Sequence, residues 1–236
     1  MKNILLSSLL TSLFILQTSC GVNGDEPAFG DGDGGISDTP STTSFVNNKN
    51  FFMLANPVNL AAIVIDATTG ATTFTEKTAV ITVHVGDRDG FFIGDNITVH
   101  FAVEWGFLSD SSCVTTDGSC SVTFTTGDPS NMPPDAQPTI TAYTQGEEEF
   151  PDPNNNNALD NGETFVDTDT PFIDIDDGTI GHNGVYDAGV DQPVGVRPHQ
   201  DPDGQFSGEN CNDTTGRCSG NTKTYIYDIF SLQLIQ

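Results

Sequence analysis

Ile81, Val83 and Val85 are separated by Thr82 and His84, and Ile97, Val99, Phe101, Val103 and Trp105 by Thr98, His100, Ala102 and Glu104. A two-residue period puts alternate side chains on opposite faces of an extended strand, so each segment buries one face and wets the other. The stretches "SCSVTFTTG" (119–127) and "PTITAYTQG" (138–146) continue the pattern, with Gly, Pro, Asp and Ser clusters between them. No segment carries a convincing helical period. Short strands spaced by turn signals predict an all-β sandwich over residues 49–145, with Trp105 in its core.

A second feature lies beyond the sandwich. Between Gly146 and Asp191 there are 13 carboxylates and no Lys or Arg. Within this stretch Asp152, Asn154, Asn156, Asp160 and Glu163 stand at positions 1, 3, 5, 9 and 12 of a twelve-residue loop, and Ala158 offers its carbonyl at position 7. A hard cation takes six to eight oxygens, and this is the spacing of a calcium loop. Asn157 occupies the sharp-turn position usually held by glycine; asparagine is the next residue best able to adopt it. The chain after Glu163 is β-branched and meets Pro171, so no exit helix follows and the loop is of a helix-free kind. The competing reading is a disordered acidic linker. Against it stands a degenerate second copy with Asp174, Asp176, Asn183, Asp187 and Asp191 as ligands. That copy has extra residues between Asp176 and Asn183. Val190 sits where the last carboxylate belongs, with Asp191 as its substitute one place on.

Five cysteines leave one unpaired. Cys113 with Cys120 and Cys211 with Cys218 share the pattern C-x4-G-x-C and are expected as two local disulfides, each facing across a hairpin, with free thiols as the alternative. The odd residue is Cys20. It follows one Lys and a short apolar run from Ile4 to Leu16, which reads as a secretory signal over residues 1–19. "LQTSC" resembles a bacterial lipobox, although Gln17 replaces the usual leucine. The resemblance implies lipidation of Cys20 and, without Asp at position 21, an outer-membrane anchor. Ordinary cleavage to a soluble periplasmic or secreted protein is the alternative. Residues 20–48, rich in Gly, Asp, Ser and Thr, read as a flexible tether.

The strands carry a family resemblance. "AVITVHVGDRDGFFIGDNITVHFAVEWGFL", then "GSCSVTFTTGDP" and "TITAYTQG", are similar to bacterial immunoglobulin-like domains of the invasin and intimin type. The resemblance implies an Ig-like sandwich and a surface role, and assigns no binding residue. Such a domain expects one more strand after "ITAY". "KTYIYDIFSLQLI" (223–235) supplies it, so residues 222–236 are expected to be the final strand and 146–221 an insertion projecting from one end of the sandwich. An independent C-terminal calcium domain is the other arrangement.

With 7 basic and 33 acidic residues the formal net charge is -26, which excludes nucleic-acid binding through phosphate neutralisation. His84 and His100, on the polar faces of their strands, are expected to face solvent, with a cross-strand metal pair the lesser reading. No nucleophile elbow, zinc-protease or phosphate-loop motif is present. The expected function is a calcium-binding, non-enzymatic envelope or surface protein, anchored by lipid in the outer membrane and acting on a protein or glycan partner in adhesion or as a spacer. The alternative is a carbohydrate-binding module, marked by exposed aromatics on one sheet face.

Overall fold

A computed structural model describes residues 45–93, 95–194, 200 and 202–236; the signal, Cys20, most of the tether and His199 lie outside the described residues. Eight strands build the body: β1 (Phe51–Asn56), β2 (Thr78–Val85), β3 (Thr98–Val103), β4 (Phe107–Leu108), β5 (Ser112–Val114), β6 (Ser119–Thr125), β7 (Thr139–Gly146) and β8 (Thr224–Ser231). They form two antiparallel four-stranded sheets, ordered β1-β2-β6-β4 and β8-β7-β3-β5. The first, second, fourth and sixth strands thus make one sheet and the third, fifth, seventh and eighth the other, an all-β sandwich.

The alternation explains the layers. Phe51, Met53, Ile81, Val83, Val122 and Phe124 face inward from one sheet, and Val99, Phe101, Ile140, Ala142 and Ile226 from the other, in a single buried cluster. Trp105 is in this core, edge-on to Phe74 at 5.9 Å, and its indole N–H donates to the Asp128 carbonyl at 2.9 Å. Burial on the hydrocarbon side together with a satisfied N–H is what a core tryptophan requires.

β8 pairs with β7 along its whole length, from Thr139 opposite Ser231 to Gly146 opposite Thr224. The expected final strand does not run on unbroken. At Leu232, which is fully buried, the chain leaves the sheet, and Gln233–Ile235 pairs in parallel with Asn59–Ala61. The packed unit also begins earlier than residue 49. Val46 is in the core, Asn47 N–H donates to the Gly86 carbonyl, and Asn47 Nδ2 donates to Glu147 Oε1. These residues read as tether because Phe45 and Val46, an isolated apolar pair among polar neighbours, carry no periodicity.

Both disulfides are formed, Cys113–Cys120 with a Cα separation of 5.9 Å and Cys211–Cys218 with 5.8 Å. Neither pair faces across a regular hairpin. Asp117 and Gly118 both have positive φ, which defines a tight I′-type turn between Thr116 and Ser119. Beyond it β5 and β6 diverge into different sheets, so the first disulfide ties the two sheets together at a corner. A side chain at Gly118 would meet Phe92 at 2.5 Å, which keeps that turn glycine-only. In the second pair Cys211 bridges to Leu159 and Cys218 to Phe206.

The insertion does not project from one end. It folds back over the outer face of β7 and β8: Thr139 Oγ1 donates to the Asp174 carbonyl and Thr141 Oγ1 to the Phe172 carbonyl, each at 2.6 Å. Phe172 is fully buried against Tyr227 (ring centroids 5.8 Å), whose hydroxyl donates to Asp169. The outer face of these strands carries apolar bodies of Tyr and Ile as well as threonines, and covering it removes that surface from water. A satellite core of Phe150, Leu159 and Phe206, with Phe165 and Cys211 against it, anchors the other part of the insertion.

Candidate functional site

The first acidic loop is closed by its own side chains. Asp152 accepts from the backbone N–H groups of Asn156 (3.2 Å) and Asn157 (2.7 Å). Asn154 Nδ2 and Asn156 Nδ2 donate to Asp160 Oδ2 at 2.8 and 2.6 Å, and Glu163 Oε2 accepts from Asp160 N–H at 2.8 Å. Asn157 takes the left-handed turn with φ 59°. Leu159 points into the satellite core. The amide donors, Asn154 first, hold the Asp160 carboxyl below the ordinary carboxylate range.

The second loop repeats this frame despite its extra residues. Asp174 accepts from Gly184 N–H (2.8 Å), as Asp152 does from Asn157, and Gly184 has φ 70°. Asn183 Nδ2 donates to Asp187 (2.7 Å), as Asn156 does to Asp160. Asn183 Oδ1 accepts from Val185 N–H as Asn156 Oδ1 does from Ala158. Asp191 Oδ2 accepts from Asp187 N–H (2.7 Å), taking the part of Glu163. Asp176 is not brought into this frame. Its oxygens accept from Gly178 N–H and Asp135 N–H, because the extra turn begins immediately after it.

That turn carries His182 to the sandwich, where its ring nitrogens meet Glu104 at 3.0 Å and Asp135 at 3.1 Å. Burial of the ring opposes its charged form, but the two carboxylates together outweigh it and raise the His182 pKa. Burial pushes the Glu104 carboxyl up, against hydrogen bonds from Thr139 and Asp176. Burial also raises Asp174, and the nearby Asp191 charge adds to it.

Arg217 braces the first loop from the second disulfide segment. Its guanidinium donates to the Glu163 and Asp160 carbonyls and to Asp213. Sequence reading missed this brace; its one signal was the four-residue spacing of Asp213 and Arg217. Hydrogen bonds from Thr215 and then Arg217 hold the Asp213 carboxyl down to about 2. A folded pKa below the unfolded value of 3.8 means that the unfolded chain binds more protons between the two, so the contribution is full above about pH 4 and is lost as pH falls toward 2. Hydrogen exchange at the Arg217 Nε–H, followed from pH 5 to 2, is expected to show this loss of protection, and Asp213→Asn is expected to flatten the profile. Identical profiles for the two proteins would refute it.

Among the described residues, no three His, Cys, Asp or Glu side chains form a metal-ligating group. Half of the expected donors in the first loop are amides and a carbonyl; the Asp152 and Glu163 carboxylates are turned to backbone N–H groups and that of Asp160 to the Asn154 and Asn156 amides. His84 and His100 lie on the outer faces of different sheets, which removes the cross-strand metal pair: His84 stacks on Phe52 at 5.2 Å and His100 on Tyr143 at 5.3 Å. No helix among the described residues is long and apolar enough to cross a membrane. No protein-family model matches the chain, and no similar protein was found among curated sequences or solved structures.

Proposed function

We propose that this chain is an exported, non-enzymatic envelope module in which calcium orders an acidic insertion on an Ig-like sandwich, acting in adhesion or as a spacer from an outer-membrane lipid anchor at Cys20. The observation that carries the calcium reading is the shared frame of the two acidic loops. Two segments of unequal length place the same residue types in the same hydrogen bonds, which one duplicated cation loop explains.

The donor set fits a hard cation. Asp152, Asn154, Asn156, the Ala158 carbonyl, Asp160 and Glu163 supply oxygens from alternate residues of one loop, and asparagine amides can present oxygen as readily as N–H. Asp174, Asn183, Asp187 and Asp191 offer a second, thinner set. Calcium supplies charge neutralisation; the chain supplies the turn at Asn157, the Leu159 anchor and the Arg217 brace that hold the donors in place. At a hundred times its dissociation constant, calcium stabilises the folded insertion by about 2.7 kcal/mol. Melting curves with calcium and with chelator, paired with titration calorimetry, are expected to show that shift, and Asp152→Ala with Glu163→Ala to remove it. A shift of equal size in the double variant would overturn the assignment.

The glycan-binding alternative is favoured by one observation. Phe52 and Phe92, 42% and 61% exposed, flank His84 on the outer face of the first sheet. Glycan binding that persists in chelator and disappears in Phe92→Ala would select it.

A further inference from the structure

We infer that the cleft between the sandwich and its insertion binds an organic cation, an ammonium or guanidinium group, seated on the rings of Tyr143 and Tyr225 beside the carboxylates of Asp167, Asp169 and Asp203. The cleft has a volume of about 420 Å³, within the range of small-ligand sites. Its floor is the outer face of the second sheet. His100 and Tyr143 are direct cross-strand partners with stacked rings, and Tyr225 meets Tyr143 edge-on at 6.1 Å. Its walls come from the insertion, chiefly the segment Asp167–Pro171 together with Asp203.

The chemistry of the walls selects the ligand. Glu148 is a structural group: it is 2% exposed, and both oxygens are taken by Thr168 and Ser207. Asp167 is fixed by the backbone N–H groups of Asp203 and Gly204, and Asp169 by the Tyr227 hydroxyl. Burial first, and then the Asp169 carboxylate, push the Tyr227 hydroxyl pKa up and keep it protonated. Among the described residues, no Lys or Arg lines the cleft. Three carboxylates above an aromatic floor repel phosphates and carboxylates. They attract a cation that can shed water onto a π face, where tyrosine contributes cation–π attraction. Two sources share that chemistry, a free polyamine and the Lys or Arg side chain of a peptide.

The test uses the full chain in saturating calcium, so it fails or succeeds independently of the calcium loops. Nuclear magnetic resonance follows the tyrosine ring signals during titration with spermidine, with agmatine, with an Arg-rich peptide and with neutral cellobiose. Spermidine or agmatine is expected to shift the Tyr143 and Tyr225 rings. Tyr225→Leu, which leaves the backbone pairing of β7 with β8 in place, is expected to weaken that response about fivefold. Asp203→Asn is expected to weaken it about five- to tenfold, by removing one charge near the bound cation. A response to the peptide alone assigns the side-chain source and supports the same chemistry. Rings that answer only to cellobiose, or to no probe, overturn the proposal, as does an unchanged affinity in both variants. Arg197 lies outside the described residues; a cation response that appears only in Arg197→Gln would mean that the protein's own guanidinium fills the cleft, and overturns an external ligand.

Discussion

Phe206→Ala is expected to open the first half of the insertion while leaving the sandwich folded. Phe206 is 1% exposed, edge-on to Phe150 at 5.2 Å and to Phe165 at 5.8 Å. Truncating a buried phenylalanine costs about 3–5 kcal/mol, from lost transfer energy and from the cavity left behind. Among the described residues the satellite core has only Phe150, Leu159, Phe165 and Cys211 besides, so little remains to collapse into the space. Leu159 would lose its seat, and with it the bridge to Cys211 that aligns the acidic loop with the disulfide segment. Hydrogen exchange should show the Leu159 and Asn212 amides losing protection while those of β2 keep it. Equal loss in both would mean that the two cores melt as one and would refute the separation.

Phe172→Ala should cost a similar 3–5 kcal/mol at a different place. Phe172 is fully buried between Tyr186 and Tyr227, and its carbonyl accepts from Thr141. The substitution keeps that carbonyl but removes the ring that holds the insertion to the sheet. The segment Thr168–Pro171, which roofs the cleft, would then loosen. The amides of Thr170, bonded to the Gln200 carbonyl, and Val194, bonded to Pro171, report on it directly. Faster exchange at these two with unchanged protection at Leu159 is the expected outcome. Unchanged exchange at both would show that the threonine hydrogen bonds suffice for docking.

These two aromatics mark the boundary of what the sequence discloses. The strands were legible because a period of two repeats over several residues, as in Ile81, Val83 and Val85. The pairing of the cysteines was legible because its links are local. Docking was not. Phe206 stands alone among polar residues and Phe172 has only Ile173 and Ile175 beside it, and nothing near them in the chain says which surface each will cover. The cleft escaped for the same reason: Tyr143 and His100 belong to strands far apart in sequence, and their common face is set by sheet order. Asp176 shows the opposite failure. Its spacing suggested a ligand, but the inserted turn claims its oxygens first. The corner disulfide was paired correctly and misplaced, because a tight turn does not say whether its arms stay in one sheet.

The register of β7 with β8 has a consequence for how the molecule is made. A strand near the middle of the domain must wait for the last strand to emerge, since the insertion separates them in the chain. Until then one edge of the second sheet is bare, its N–H and C=O groups open to any passing strand. Closing so long a loop carries an entropic penalty before its contacts form, which slows the final step. The insertion, complete before β8 appears, can collapse first and shield the outer face of β7. The acidic segment then covers that face of β7 while the last strand is still being made.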